Sequence, residues 1–135
     1  MNNGSNKWGV SFSRIAWLNG VLKNHPNVSG VFRHDDIVFE IQRKSGPPIT
    51  LVCLNEYTLG VSGAERVFDE FPDANVIYVG GNWNKYTYKA KELCSSRSIG
   101  LYNASEINGA LWKDDFTTYY QRDKDGNPIY QERSA

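Results

Sequence analysis

Residues 36–55 of the sequence read DIVFEIQRKSGPPITLVCLN, and their pattern of apolar and polar residues predicts the centre of a β-sheet. Apolar and polar residues alternate over 36–43, which predicts a strand with one buried face and one wetter face. Val38 breaks the alternation on the wetter face, so we expect that face to be partly covered. Residues 45–48 are turn formers, and the apolar run over 49–54 is typical of a strand covered on both faces.

The residues before this stretch predict a helix and the first arm of a hairpin. We predict that residues 29–34 pair with residues 36–43 as a hairpin, across a tight turn near Asp35. An amphipathic helix is predicted for 11–24 because its apolar residues recur at helical spacing. Either Ser11 or Ser13 can cap that helix.

The residues after it predict a second helix and a second covered strand. Ser62 and Glu65 have the spacing of a capping box, and Pro72 ends the helix that they begin. The apolar residues 76–79 then form a short strand that stops at two glycines. Strands joined through a helix in one sheet are parallel and their crossover is right-handed.

The remaining segment predicts one more helix–strand–helix unit and an appendage. A helix covers about 87–98, a strand follows at 99–102, and Ser105 caps the last helix. The fold class is therefore α/β, with one domain over 1–112 and a mixed sheet flanked by helices. Residues 113–135 are predicted to form a hairpin or a tail that packs on this domain or on a partner.

Composition narrows the class of protein. No apolar run approaches the roughly 20 residues of a membrane span, and no secretion signal precedes the first helix, so we expect a cytoplasmic protein without a membrane partner. Fifteen basic and fifteen acidic residues balance, which removes the simplest argument for nucleic acid without excluding a local basic face. Cys53 and Cys94 are expected to be reduced thiols, since neither has a zinc-ligand spacing with His25 or His34.

The order of elements from Asp36 to Leu111 resembles the core of the PD-(D/E)XK restriction-endonuclease-like superfamily, in its compact Holliday-junction-resolvase and Mrr-like branches. With the first helix, the resemblance covers about 11–112. It implies an α-β-β-β-α-β-α-β-α core. It also implies a metal site built from an Asp at the end of a hairpin arm, with an acidic residue and a Lys two positions apart on the next strand.

This chain departs from that pattern at two of the three positions. Asp36 takes the first position, and Cys53 and Asn55 take the positions of the acid and the Lys. A thiol and an amide offer Mg²⁺ no anionic oxygen and supply no ammonium group. The resemblance therefore implies a non-catalytic module that binds a protein partner, a second copy of itself or a nucleic acid, with no metal or cofactor expected. It further suggests an accessory protein of a mobile element or a phage-defence system.

An active nuclease with displaced residues is the alternative. Asp36 and Glu40 would then be the metal carboxylates for Mg²⁺ or Mn²⁺ and Lys44 the charge stabiliser, with Glu56 as an outside candidate. The competing interpretation is that Asp36 caps the turn and that the other polar residues are a solvated strand face.

A binding site is predicted where the second covered strand ends. Asn82, Trp83 and Asn84 follow two glycines between that strand and a helix, at the edge where α/β sheets usually bind ligands. The segment lacks the spacing of a phosphate-binding loop, so a plain strand-to-helix turn competes with a small-ligand site. Many aromatic residues also lie outside the predicted strands, and they indicate either an oligomer contact or a tail that folds back onto the body.

Overall fold

A computed structural model describes residues 3–132 of the chain. It contains four helices and five strands of a main sheet, together with short two-residue strands, in the part of the chain that it describes. In chain order the elements are α1 (Phe12–Asn24), β1 (Val28–His34), β2 (Val38–Arg43), β3 (Ile49–Cys53), β4 (Thr58–Leu59), α2 (Val61–Glu70), β5 (Val76–Tyr78), β6 (Lys85–Tyr86), α3 (Tyr88–Ser96), β7 (Gly100–Tyr102), α4 (Ala104–Ala110), β8 (Gln121–Arg122) and β9 (Pro128–Ile129).

The main sheet is mixed and has the strand order β1-β2-β3-β5-β7. The strands β1, β2 and β3 are antiparallel neighbours, whereas β3, β5 and β7 are parallel. The prediction of a mixed α/β fold, with an antiparallel hairpin extending a parallel set, is confirmed. No helix within residues 3–132 is both long enough and apolar enough to cross a bilayer.

The covered strands were recognisable because their side chains are buried on both faces. All three residues of β5 and all three of β7 are buried, and so are Leu51, Val52 and Cys53 in β3. Val38 is also buried, at 3% exposure, as its place on the wetter face predicted. The core of the protein lies around these strands.

The segment before α1 packs on α2, which the sequence did not predict. Trp8 is buried, and its indole N–H donates to a Glu70 carboxylate oxygen at 3.0 Å. The Arg66 guanidinium lies 3.8 Å from the centre of the Trp8 ring. These contacts hold the segment before α1 against α2.

Of the three helix caps that the sequence predicted, one is correct and two are wrong. Ser11 caps α1, because its hydroxyl accepts from the backbone N–H of Arg14. The capping box at Ser62 is wrong, because α2 already begins at Val61 and Gly60 is its N-cap without a side-chain bond.

The cap predicted at Ser105 is also wrong, since that residue lies inside the first turn of α4. Asn103 is the N-cap of this helix, and Glu106 completes a capping box with it by accepting from the Asn103 backbone N–H. The box begins two residues before Ser105, in the Asn-x-x-Glu spacing.

The segment after α4 packs against the body of the protein through residues that follow residue 112. Phe116 is buried, and its carbonyl accepts a hydrogen bond from the Tyr102 hydroxyl. A two-residue ladder pairs β8 with β9, and Glu132 forms an isolated parallel bridge with Tyr86. The outermost ends of the predicted spans 1–112 and 113–135 lie outside the described residues.

Candidate functional site

Asp36 lies in the tight turn between β1 and β2, with a left-handed backbone φ of 66°. Its carboxylate is 1% exposed and accepts hydrogen bonds from the backbone N–H of Gly4, from the Asn6 amide at 2.8 Å and from the Arg33 guanidinium at 3.0 Å. Burial alone would raise the pKa of Asp36, but these hydrogen bonds and the Arg33 charge outweigh it and lower the pKa. Asp36 thus fastens the N-terminal segment to the hairpin turn as an ionised group.

Cys53 lies beside that turn. Its backbone N–H donates to the carbonyl of Ile37 at 2.8 Å, so the end of β3 is next to Asp36. The thiol is fully buried, and burial raises its pKa to about 12, with Arg14 opposing this shift and Asp36 adding to it. The structure therefore brings Asp36 and Cys53 together, but the thiol stays protonated and is no ligand for a hard cation.

Asn55 follows β3 and belongs to a chain of three amides. Its side-chain oxygen accepts from the Asn84 amide at 2.8 Å, and that amide also donates to the carbonyl of Val79 at 3.0 Å. The Asn103 amide in turn donates to the carbonyl of Asn84 at 3.0 Å. These hydrogen-bonded amides join the carboxyl ends of β3, β5 and β7, so Asn55 and Asn84 stabilise this edge of the sheet.

Gly80 is required for this arrangement. Its backbone φ is 126°, and a Cβ at this position would stand 2.2 Å from the Asn84 amide nitrogen. Only glycine gives the room and the backbone freedom for the amide to reach across.

The three residues of the displaced nuclease site are separated along β2. Asp36 precedes the strand and Lys44 follows it, and eight residues at about 3.4 Å each amount to roughly 27 Å. Glu40 lies between them and accepts from the Thr50 hydroxyl at 2.6 Å and from His34 Nε2 at 2.8 Å. The structure does not bring these three side chains together.

Glu56, the outside candidate, lies just beyond β3 and is half-buried. Its backbone N–H donates to the carbonyl of Val79 at 2.9 Å, which places it at the end of β5. Within residues 3–132, no three His, Cys, Asp or Glu side chains are grouped so that they could hold a metal ion.

An open crevice lies where β5 and β7 end, between these strands and the first half of α1. Its volume is about 340 Å³. Trp17 is 52% exposed there, and neighbouring Trp83 is 83% exposed. The residues that line it are Arg14, Trp17, Gly81, Asn82, Ala104 and Ser105.

The three predicted binding residues have different places around this crevice. Asn82 lines it, Trp83 is the next residue in the chain and is largely exposed, and Asn84 is held by the hydrogen bonds of the three amides. Sequence reasoning missed Arg14 and Trp17. The signal available was their place on the polar side of the predicted first helix, but nothing in the sequence placed that side next to the strand ends.

A second polar cluster is formed by residues of β6, α3 and α4. Glu106 is fully buried and accepts from the Tyr86 hydroxyl at 2.8 Å. Lys91 donates to the carbonyl of Leu101 at 2.7 Å and lies 4.2 Å from the centre of the Tyr102 ring. Burial raises the pKa of Glu106, although Lys91 opposes this shift, and burial lowers the pKa of Lys91 to about 8.

This cluster borders an open pocket whose wall is formed in part by the tail. The pocket holds about 280 Å³ and has four tyrosines in its wall, of which three belong to the tail. They are Tyr88, Tyr119, Tyr120 and Tyr130. Sequence reasoning identified these aromatic residues as an excess outside the strands, but not the pocket that they share with Lys91.

Comparisons with protein families, with curated proteins and with solved structures found no match to this chain.

Proposed function

We propose that this chain is a non-catalytic binding module with a restriction-endonuclease-like fold, and that its partner is a protein. The observation that supports this most is how the positions of the nuclease pattern are filled. The Asp36 carboxylate already accepts hydrogen bonds from protein donors. The Cys53 thiol is buried and protonated, and the Asn55 side-chain oxygen accepts a hydrogen bond from the Asn84 amide. A hard cation needs anionic or carbonyl oxygens that are open to it, and these three groups offer none.

The exposed surface at the carboxyl ends of the parallel strands is the place where we expect the partner to bind. Tryptophan and arginine carry much of the energy in protein interfaces. Trp17 and Arg14 line the crevice, and the exposed Trp83 follows Asn82, which also lines it. Arg14 is the one basic side chain among the residues that line the crevice. A nucleic-acid groove depends on several cations along the backbone, so a protein partner fits this surface better. We expect the partner in the cytoplasm, where the two buried thiols stay reduced.

The catalytic side of the proposal is tested by incubating the protein with plasmid, single-stranded DNA and RNA in Mg²⁺ or Mn²⁺. No cleavage is expected from the wild type. Cleavage that disappears in both Asp36→Ala and Glu40→Gln would contradict the proposal and favour the displaced nuclease. The Glu40 variant is included because its side chain is partly exposed, so the fold is expected to tolerate the change.

The binding side is tested with a photo-reactive phenylalanine analogue placed at position 17 or 83 in the source cell. Position 112 is the matched control, since Trp112 is 51% exposed against 52% for Trp17. The Trp112 ring lies 4.9 Å from that of His25, which is about 16 Å along α1 from Arg14.

A protein adduct is expected from positions 17 and 83 but not from 112, and Arg14→Ala is expected to reduce it. The same adduct from all three positions would contradict the proposed surface. Adducts that a nuclease degrades would instead identify a nucleic acid as the partner.

A further inference from the structure

The two edges of the main sheet differ. The short strand β7 forms one edge, and the tail lies along it, since the Phe116 carbonyl accepts from Tyr102 and approaches Gly100. The other edge is β1, which has seven residues, and no strand among the described residues pairs with its outer side. An extended edge strand is a template for pairing with another strand.

A bulge defines the regular part of β1. The register with β2 shifts between Val28 and Gly30, and pairing is regular from Gly30 to His34. The middle residue of these five is Phe32, whose side chain is 65% exposed. The most exposed apolar residue of the edge therefore lies at the centre of the segment that can pair regularly.

We propose that β1 pairs in antiparallel fashion with β1 of a second copy of this chain, with Phe32 on the two-fold axis. In this register the two Phe32 rings face one another, Val31 faces Arg33 of the second copy, and Gly30 faces His34 of the second copy. The two five-stranded sheets join into one continuous sheet. This inference does not depend on the proposed function, because it concerns the opposite edge of the sheet from the strands that end at the crevice.

The backbone geometry favours contact between the two rings. The carbonyl of Ile37 bonds to β3, so alternation along β2 directs the backbone of Glu40 toward β1, where it pairs with Phe32. The backbone of Phe32 is therefore directed inward, and its pair across the axis is of the non-hydrogen-bonded kind. Side chains are closest in such pairs, and facing aromatic rings stabilise them.

A second copy of the chain is compatible with this edge because no pair of facing residues in this register conflicts. Arg33 is the one residue of Gly30–His34 with a permanent charge, and it faces Val31 rather than another Arg33. The chain has a formal net charge of zero, so two copies do not repel one another at long range. Glycine opposite His34 leaves room for the imidazole ring.

A disulfide trap tests the register. Cys53 and Cys94 are fully buried, so a cysteine placed at Phe32 is the accessible thiol of the described chain. Phe32→Cys is expected to give a covalent dimer under mild oxidation, since position 32 faces itself. Ser29→Cys is the matched control on the same strand, because its two copies would lie roughly 20 Å apart in this register. Equal cross-linking at both positions, or none at position 32, would overturn the proposed register.

Light scattering over a concentration series tests the association itself. We expect the wild type to form dimers and Phe32→Lys to raise the dissociation constant about tenfold or more, because two ammonium groups would then face one another. Trp17→Lys is the control, with a similarly exposed aromatic residue outside β1. A wild type that remains monomeric throughout, or a Trp17 variant that dissociates equally, would overturn the inference. If Phe32→Lys still gives photo-adducts at position 83, the proposed binding function does not depend on this dimer.

Discussion

Two fully buried carboxylates, in the turn that holds Asp36 and in the cluster around Glu106, respond to burial in opposite ways. The exposure of Asp36 is 1% and that of Glu106 is 0%, yet the pKa of Asp36 is lowered and that of Glu106 is raised. Burial raises both pKa values. At Asp36 it is outweighed by hydrogen bonds from Asn6 and Gly4 and by the charge of Arg33.

The difference shows what each region is built for. Asp36 accepts from a guanidinium, an amide and a backbone N–H, and two of these donors belong to the N-terminal segment that it holds in place. Glu106 accepts from the Tyr86 hydroxyl and the Asn103 backbone N–H, the backbone N–H of Gln131 also acts to lower its pKa, and Lys91 acts on it only through its charge. The Asp36 carboxylate is an ionised anchor for the N-terminal segment, whereas Glu106 belongs to a polar cluster whose protonation can change.

The largest expected effect comes from placing a third carboxylate in the core. Cys53→Asp is expected to lower the free energy of unfolding by about 4 kcal/mol, because the new charge would be buried beside Asp36. Cys94→Asp is the matched variant at an equally buried thiol, and it is expected to cost less because Lys91 and Arg97 are close. Urea unfolding of both variants measures the difference. Equal losses would mean that nearby charge does not distinguish the two sites.

Removing the fastening carboxylate is expected to have the next largest effect. Asp36→Ala removes the carboxylate that accepts from the Gly4 N–H and takes one of several acceptors from the Asn6 amide and the Arg33 guanidinium, which we expect to cost about 3 kcal/mol. Glu40→Ala is the control on the same hairpin, with a loss below about 1 kcal/mol because its side chain is 38% exposed. A loss at Asp36 no greater than that at Glu40 would show that the N-terminal segment is held by other contacts.

Glu106 is expected to give a smaller effect whose sign depends on pH. A raised pKa means that the folded state binds the proton more tightly than the unfolded state, so stability falls as pH rises from about 4.3 through the raised folded value. Glu106→Gln removes the titrating group, and the fall over this interval is expected to disappear. Asp36 contributes in the opposite direction, with stability lost as pH drops below about 4. Urea midpoints of both proteins across this range test the sign.

The sequence predicted the sheet well because burial leaves a periodic signature. The alternation of β2 and the continuous apolar run of β3 placed the hairpin and the central strand to within one or two residues. The contacts of Trp8 with Glu70 and Arg66 left no such signature, because they join distant segments of the chain through single side chains.

The candidate site was predictable only in part, for the same reason. The carboxyl edge of the parallel strands follows from the strand order, and Asn82 does line the crevice there. The helix that completes the crevice could lie on either side of the sheet as far as the sequence shows, so Arg14 and Trp17 were missed. The sequence contains the Asn-x-x-Glu spacing of the capping box at Asn103 and Glu106. Ser105, which is also a common cap residue, was predicted as the cap instead.

The smallest expected effect on stability comes from the partly exposed carboxylate of Glu40, whose interaction with His34 is screened by solvent. His34 Nε2 and Glu40 are 2.8 Å apart, and this hydrogen bond is the main cause of the raised pKa of His34, with Asp35 adding to it against the effect of burial. Stabilisation from this pair is complete below the ordinary histidine value of about 6.5 and is lost as pH rises through the raised folded value. Because both side chains are 38% exposed, its contribution is expected to stay below about 1 kcal/mol. An NMR titration should show the pKa of His34 falling in Glu40→Gln, with a smaller fall in Asp35→Asn. An unchanged value in the Glu40 variant would mean that the hydrogen bond does not form in solution, and the contrast between buried and screened carboxylates would then rest on Asp36 and Glu106 alone.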